Sequence, residues 1–223
     1  MSNAPFAVPQ ARWGYRMSMP FSQITDLMVY DGLYEIFNGY HMGMTAENIA
    51  ALYKISHQEQ DEFSFHNHQR ARAANASGAV ADEIVPVVIP QKKGDPKVFK
   101  VDERPMDTSL EKMSKLATVF KKDGTVTAGN ASGINDGAAA VVLCSEAFAA
   151  RHGGRSRNAR IAASVLVSGD YAYKKDDLTS MEIGARAARL AYEQAGLGPE
   201  DLDLVELHDA FASEELVHYE DLG

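Results

Sequence analysis

The chain has 223 residues, 45% hydrophobic and 24% charged, which is the balance of a globular protein long enough to bury a core in one large domain or two small ones. A net charge of −9 argues against a general nucleic-acid surface, and no apolar run is long enough to cross a membrane or to serve as a signal segment, so a cytoplasmic location is expected. The single cysteine, Cys144, excludes an internal disulfide and suits a reducing compartment; its place in the apolar run AAAVVLC predicts a buried, inert thiol.

From Met1 to Pro20 the breakers Pro5, Pro9, Gly14 and Pro20 read as a loop. A short helix precedes DGLYEIFNGYHMGMT, Asp31 to Thr45, which ends in an aromatic, glycine-punctuated loop. His41 lies there between Tyr40 and Met42, and by default is a packed loop histidine. Thr45 is expected to cap a first helix, Ala46 to Tyr53. Ser56 and Glu59 form a capping box for a second, long helix that ends at Gly78. His57, His66 and His68 lie on or beside that helix. His66 and His68, two apart, do not share a face, and no HExxH or CxxC set accompanies them, so a solvated face is expected rather than a metal site.

Ile84 to Ile89 and Lys97 to Val101 read as strands joined through Gly94 and Asp95 in a basic turn, with DERP, Asp102 to Pro105, following. Ser109 to Leu116 is a helix, and Phe120 closes the segment.

Thr125 to Leu143, TVTAGNASGINDGAAAVVL, is an irregular Gly/Asn/Ser loop running into an apolar strand, Ala138 to Leu143, covered on both faces. Gly129, Gly133 and Gly137 recur every fourth residue and permit unusual backbone angles and close approach, while Asn130, Asn135 and Asp136 are suited to local hydrogen bonds. Ser145 to His152 is a helix. HGGRSRNAR then brings Arg151, Arg155, Arg157 and Arg160 close together; such a cluster could meet phosphate, but reads better as a solvated inter-domain linker. Arg160 to Ser168 is a strand, Thr179 to Ala195 a helix stopped by Gly196, and Leu204 to Leu207 a strand. ELHDAFA, Glu206 to Ala212, then places a polar pair between that strand and the next helix. A rigid strand end facing helix N-terminal amides suits a group that stabilises developing negative charge.

TAGNASGINDGAAAV resembles the signature of the thiolase family, the CoA-dependent acyltransferases, and MSNAPF, YHMG and ELHDAFA are similar to further runs of that family. The resemblance implies an α/β protein: part of the layered αβαβα thiolase fold, with an α+β CoA-binding loop domain. Residues 1–134 would be the end of the N-terminal half plus that loop domain. Residues 135–156 would be the last strand and helix of the N-terminal domain, and residues 157–223 the start of the C-terminal domain. Ala128, Ser132, His41 and Met42, and more weakly Leu33, would line the pantetheine arm of CoA. Phe120 would do so too, unless it is plain core, and Phe211 would pack on the same arm. Arg104 would meet the nucleotide phosphates, although the family's Asp-Glu-x-x-Arg-Pro has two spacer residues that DERP lacks. His208 would replace the asparagine of the more common Asn-Glu-Ala-Phe, as in degradative and sterol-carrier-type thiolases, and would donate to the thioester oxygen; on its own it would read as a hydrogen-bonded core histidine.

The implied reaction is thiolysis of a 3-ketoacyl-CoA or the reverse Claisen condensation, with acyl-CoA and CoA as partners and no metal or prosthetic group. It needs a nucleophilic cysteine, a histidine that activates it and a second acid/base cysteine. Cys144 sits where the family keeps no nucleophile, and no Cys-x-Gly or Gly-His-Pro motif occurs. The expectation is therefore the middle of a thiolase, inactive by itself and drawn from a homo-oligomer. The alternative is a non-catalytic CoA-binding or scaffold subunit, against which the ending inside a helix weighs.

Overall fold

The computed structural model describes residues 1–8, 24–152, 159–169 and 182–223. Pro9, Gly14 and Pro20, Arg155 and Arg157, and the expected helix start at Thr179 lie outside them. In chain order the elements are β1 (Phe6–Ala7), β2 (Thr25–Asp26), α1 (Leu27–Gly32), β3 (Tyr34–Glu35) and β4 (Tyr40–His41), then α2 (Met42–Tyr53), α3 (His57–Ser77), β5 (Val87–Ile89), β6 (Lys97–Phe99) and α4 (Leu110–Met113). They continue with α5 (Glu146–His152), α6 (Glu182–Ala195) and α7 (Ala212–Asp221). The described strands pair antiparallel as β1–β2, β3–β4 and β5–β6.

The chain divides into two compact units: Met1–Met42 with Ile134–Leu207 and Val217–Gly223, and Gly43–Gly133 with His208–Leu216. In the first, Asp26 caps α1 by accepting from Met28 N at 2.9 Å. β3 and β4 then form a tight hairpin with Tyr34 opposite His41 and Glu35 opposite Tyr40. Gly39, at φ +79°, makes the turn with backbone angles that a side chain would resist. Helix α6 stops at Gly196, φ +68°, as its sequence predicts. Tyr192 of α6 donates to the Leu222 carbonyl at 2.7 Å, fixing the end of the chain beside it.

The second unit holds most of the deeply buried residues. Ala46, Ile49 and Ala50 of α2 recur at helical spacing and bury one face with Met113 and Val126. α3 is opened by the expected capping box: Glu59 N donates to Ser56 Oγ at 3.2 Å, and Ser56 N donates to the Glu59 carboxylate at 2.7 Å. Gly78, left-handed at φ +76°, closes it. Ser109 caps α4, which is shorter than the sequence suggests. β5 and β6 flank the turn at Gly94, φ +85°.

Several expectations are corrected. Thr45 does not cap a helix, because α2 already starts at Met42, directly out of β4, and Thr45 falls inside its first turns with a buried, unpartnered hydroxyl. Ala138 to Leu143, Arg160 to Ser168 and Leu204 to Leu207 form no strand: Val142 is 94% exposed, Leu166 98% and Leu204 77%. Their apolar character is real, but a strand exists only through a neighbour's backbone ladder, and the described residues place none beside them. Cys144 follows the first of these segments and is likewise exposed rather than buried. Asp136 bonds not within its own loop but to the N-terminus and to Ser2, contacts that hold its carboxyl well below the usual range.

Candidate functional site

The stretch from Gly124 to Gly133 is irregular, so its shape has to come from side chains. Glu47, buried in α2, supplies the first set: its carboxylate accepts from Thr125 N at 2.8 Å, Val126 N at 2.9 Å and Thr125 Oγ1 at 3.0 Å. A Cβ on Gly124 would lie 2.3 Å from that carboxylate, so only glycine lets the chain come this close. Asn130 supplies the second set. Its Oδ1 accepts from Thr127 N at 2.8 Å, and its Nδ2 donates to the Thr125 carbonyl and to Asp61 Oδ1, each at 3.0 Å. These hydrogen bonds are local or reach a helix of the same unit, which is how so polar a segment is buried with its polar groups paired.

Asp61, on α3, is itself buried and also lies 3.2 Å from His57 Nε2, though the ring is not aligned for a hydrogen bond. Burial pushes the Asp61 carboxyl up, against the opposing pull of His57 and Asn130. A raised folded-state value means that stability from Asp61 protonation is fully present below the ordinary aspartate range and is lost as pH rises through the raised value. Urea unfolding from about pH 3.5 to neutral should therefore show the wild type losing stability, relative to Asp61→Asn, as pH rises. A difference that is flat or of opposite slope would contradict the burial account.

The glycines act by permitting close approach rather than by unusual φ. A Cβ on Gly129 would come 2.8 Å from Leu116 Cδ1, and one on Gly133 would come 2.6 Å from Arg104 Nε, whereas one on Gly137 would meet nothing. Arg104 thus lies along the loop with its side chain exposed, and its backbone N–H donates to Asp102 Oδ1 at 2.9 Å. His68 is not on a solvated face as its position on a polar helix suggests. It is half-buried, accepts from Met106 N at 3.2 Å and lies 3.1 Å from the Gly129 carbonyl, while His66 is exposed.

The end of the loop pairs with the HDAFA segment. Ala131 and Phe211 form an antiparallel bridge, with Ser132 N donating to the Ala210 carbonyl at 3.0 Å and Ala212 N to the Asn130 carbonyl at 3.1 Å. This sets His208 just ahead of α7, exposed in this chain. Phe120 and Phe211 meet edge to face with ring centroids 6.1 Å apart, and Phe120 covers Gly43, where a Cβ would lie 2.3 Å from its ring.

The second unit therefore gathers Arg104, Phe120, Ala128, Ser132, His208 and Phe211, with Ala128 and Ser132 exposed on either side of buried Gly129 and Asn130. The first unit holds His41 in the β3–β4 hairpin, with Leu33 and Met42 flanking the hairpin, where Met42 N donates to the Leu33 carbonyl at 2.8 Å. Burial pushes His41 down, favouring the neutral ring. Among the described residues no group of three or more His, Cys, Asp or Glu could hold a metal ion, and no helix is long and apolar enough to cross a membrane. Sequence reasoning passed over Glu47 and Asp61 and read His68 as part of a solvated face. The available signal was an acid on the buried side of α2, between Ala46 and Ile49.

A family model of the thiolase N-terminal domain matches residues 1–147, and one described as thiolase C-terminal domain-like matches residues 164–223. The chain belongs to the thiolase family. It is 50% identical over its whole length to an acetyl-CoA acetyltransferase of Syntrophomonas wolfei and 48% identical to one of Chromobacterium violaceum, covering 54% and 55% of those proteins. The crystal structure of the Bacillus anthracis acetyl-CoA acetyltransferase superposes with a TM-score of 0.80 at 39% identity, over 98% of this chain and 53% of that one. Human mitochondrial 3-ketoacyl-CoA thiolase in complex with CoA gives 0.79 at 38% identity, over 99% and 53%. The fold is accordingly part of the α/β thiolase fold, and the chain spans about half the length of the curated relatives it matches.

Proposed function

We propose that these residues are part of a thiolase-type acyltransferase and are inactive by themselves, since they hold neither the family's nucleophilic cysteine nor its Cys-x-Gly and Gly-His-Pro motifs; the whole enzyme cleaves a 3-ketoacyl-CoA with a second CoA into acetyl-CoA and a shortened acyl-CoA, or runs the reverse Claisen condensation. The present residues supply contacts to CoA and one donor to the reacting oxygen. In this reading the CoA-binding loop domain extends to residue 134, residues 135–156 return to the N-terminal domain, and the C-terminal domain starts at 157. The enzyme is cytoplasmic, uses CoA thioesters without a metal, and works as a homo-oligomer.

The observation that carries the reading is the pairing of Asn130–Ser132 with Ala210–Ala212. It joins the proposed pantetheine contacts Ser132 and Ala128 to the backbone that carries His208. Phe120 and Phe211 form one aromatic surface beside it, suited to the apolar part of the pantetheine arm. Leu33, His41 and Met42 are proposed to line the same arm, and Arg104 to meet the phosphates, for which its planar fork of donors is fitted.

Ser132 gives the test. Its backbone is tied to Ala210 while its side chain is exposed, so a bulky replacement obstructs ligand without removing a structural bond. Ser132→Tyr, in a protein extended to the length of its relatives, should raise KM for acetoacetyl-CoA about tenfold or more and lower kcat far less, because the contact is the same in the ground and transition states. An unchanged KM removes Ser132 from the site.

A further inference from the structure

His68 joins two segments far apart in sequence. Met106 N–H donates to its Nδ1 at 3.2 Å, and its Nε2 lies 3.1 Å from the Gly129 carbonyl. A backbone N–H can only donate and a carbonyl can only accept, so the two contacts together require a neutral ring with Nδ1 bare and the hydrogen on Nε2. One side of the ring thus holds the Asp102–Met106 segment, which carries Arg104, and the other holds the glycine loop, which carries Ala128 and Ser132. The Arg104 side chain lies on Gly133 of that loop, where a Cβ would come 2.6 Å from its Nε.

The two segments are anchored unequally. The loop keeps the bonds to Glu47 and Asn130 whatever happens at His68. Among the described residues, the ion pairs at the Asp102–Met106 segment are Lys97–Glu103 at 3.4 Å and, at the residue that follows it, Arg72–Asp107 at 3.3 Å, both between exposed side chains and so of little strength. Losing the ring would free the arginine segment far more than the loop.

We infer that His68 is a positioning residue that holds Arg104 in register with the glycine loop, and thereby sets how strongly the protein prefers CoA over pantetheine, which lacks the nucleotide. This rests on the CoA reading above. Ordering a loose arginine at the moment of binding costs affinity that a pre-placed one keeps. The cost falls only on ligands that carry the phosphates.

Calorimetric titration of the protein with CoA and with pantetheine tests this. In the unmutated protein CoA should bind more tightly than pantetheine. His68→Ala should lower that preference about tenfold, chiefly through weaker CoA binding, the loss expected for an unplaced charge-assisted hydrogen bond. His68→Gln should largely restore it, since its amide oxygen faces the Met106 N–H and its NH2 the Gly129 carbonyl. Should His68→Ala fail to fold, His68→Phe keeps the ring volume, lacks both nitrogens and makes the same comparison. Ring 15N spectra of the unmutated protein should show hydrogen on Nε2. An unchanged preference, an equal loss for both ligands, a glutamine variant no better than alanine, or hydrogen on Nδ1 would each overturn the role of His68 while leaving CoA binding intact. An unmutated protein that binds neither ligand overturns the CoA reading, and this inference with it.

Discussion

Replacing His208 with alanine, in a protein extended to the length of its relatives, is expected to lower kcat about a hundredfold or more and leave KM nearly unchanged. A donor aimed at the thioester oxygen does most when negative charge develops there, so its removal is felt in the transition state and little in the bound substrate. The structure makes the experiment clean. His208 is exposed, and the nearby backbone is held by Ala210 and Ala212 rather than by the imidazole. His208→Ala should therefore fold with an unchanged Tm. His208→Asn should recover part of the rate, because an amide at this place can hold a water toward the same oxygen. A rate close to wild type, or a variant that melts early, would show that the ring serves something other than the reaction.

The second large effect is one of stability. Glu47→Ala strips one carboxylate from three donors, Thr125 N, Val126 N and Thr125 Oγ1, in a place closed to solvent. Buried donors left unsatisfied cost about 1–3 kcal/mol each. Partial relaxation brings the expected loss to about 4 kcal/mol, or on the order of 10 °C in Tm for a chain of this size. Glu47→Gln should fall between, since its amide keeps one acceptor but turns hydrogens toward the N–H groups. Thermal unfolding within a degree or so of wild type would mean that Asn130 alone shapes the loop.

Local features were legible in the sequence. The capping box at Ser56 and Glu59, the glycine stops at Gly78 and Gly196, and the turn at Gly94 all stand where the chain suggests. Each depends on residues within one or two turns of one another, so the information is local. The family was legible for a related reason: TAGNASGINDGAAAV and ELHDAFA are continuous runs, and the backbone pairing of their Asn130–Ser132 and Ala210–Ala212 residues shows why each run constrains the other.

What the sequence misjudged was burial. AAAVVL has the apolar content of a covered strand, yet Val142 and Leu143 stand exposed, and Cys144 with them, because pairing is a property of two segments and content a property of one. His68 and Asp61 lie on a helix so polar that no face of it reads as buried, yet one bridges Met106 and Gly129 and the other meets Asn130. By itself the sequence determined both ends of α3, the stop at Gly196, the turn at Gly94 and the family, all of which rest on neighbouring residues or continuous motifs. Only the tertiary structure decided that Glu47, Asp61, His68 and Asn130 together hold the glycine loop, because a buried hydrogen bond forms between groups that folding brings within about 3 Å, however far apart they stand in the chain.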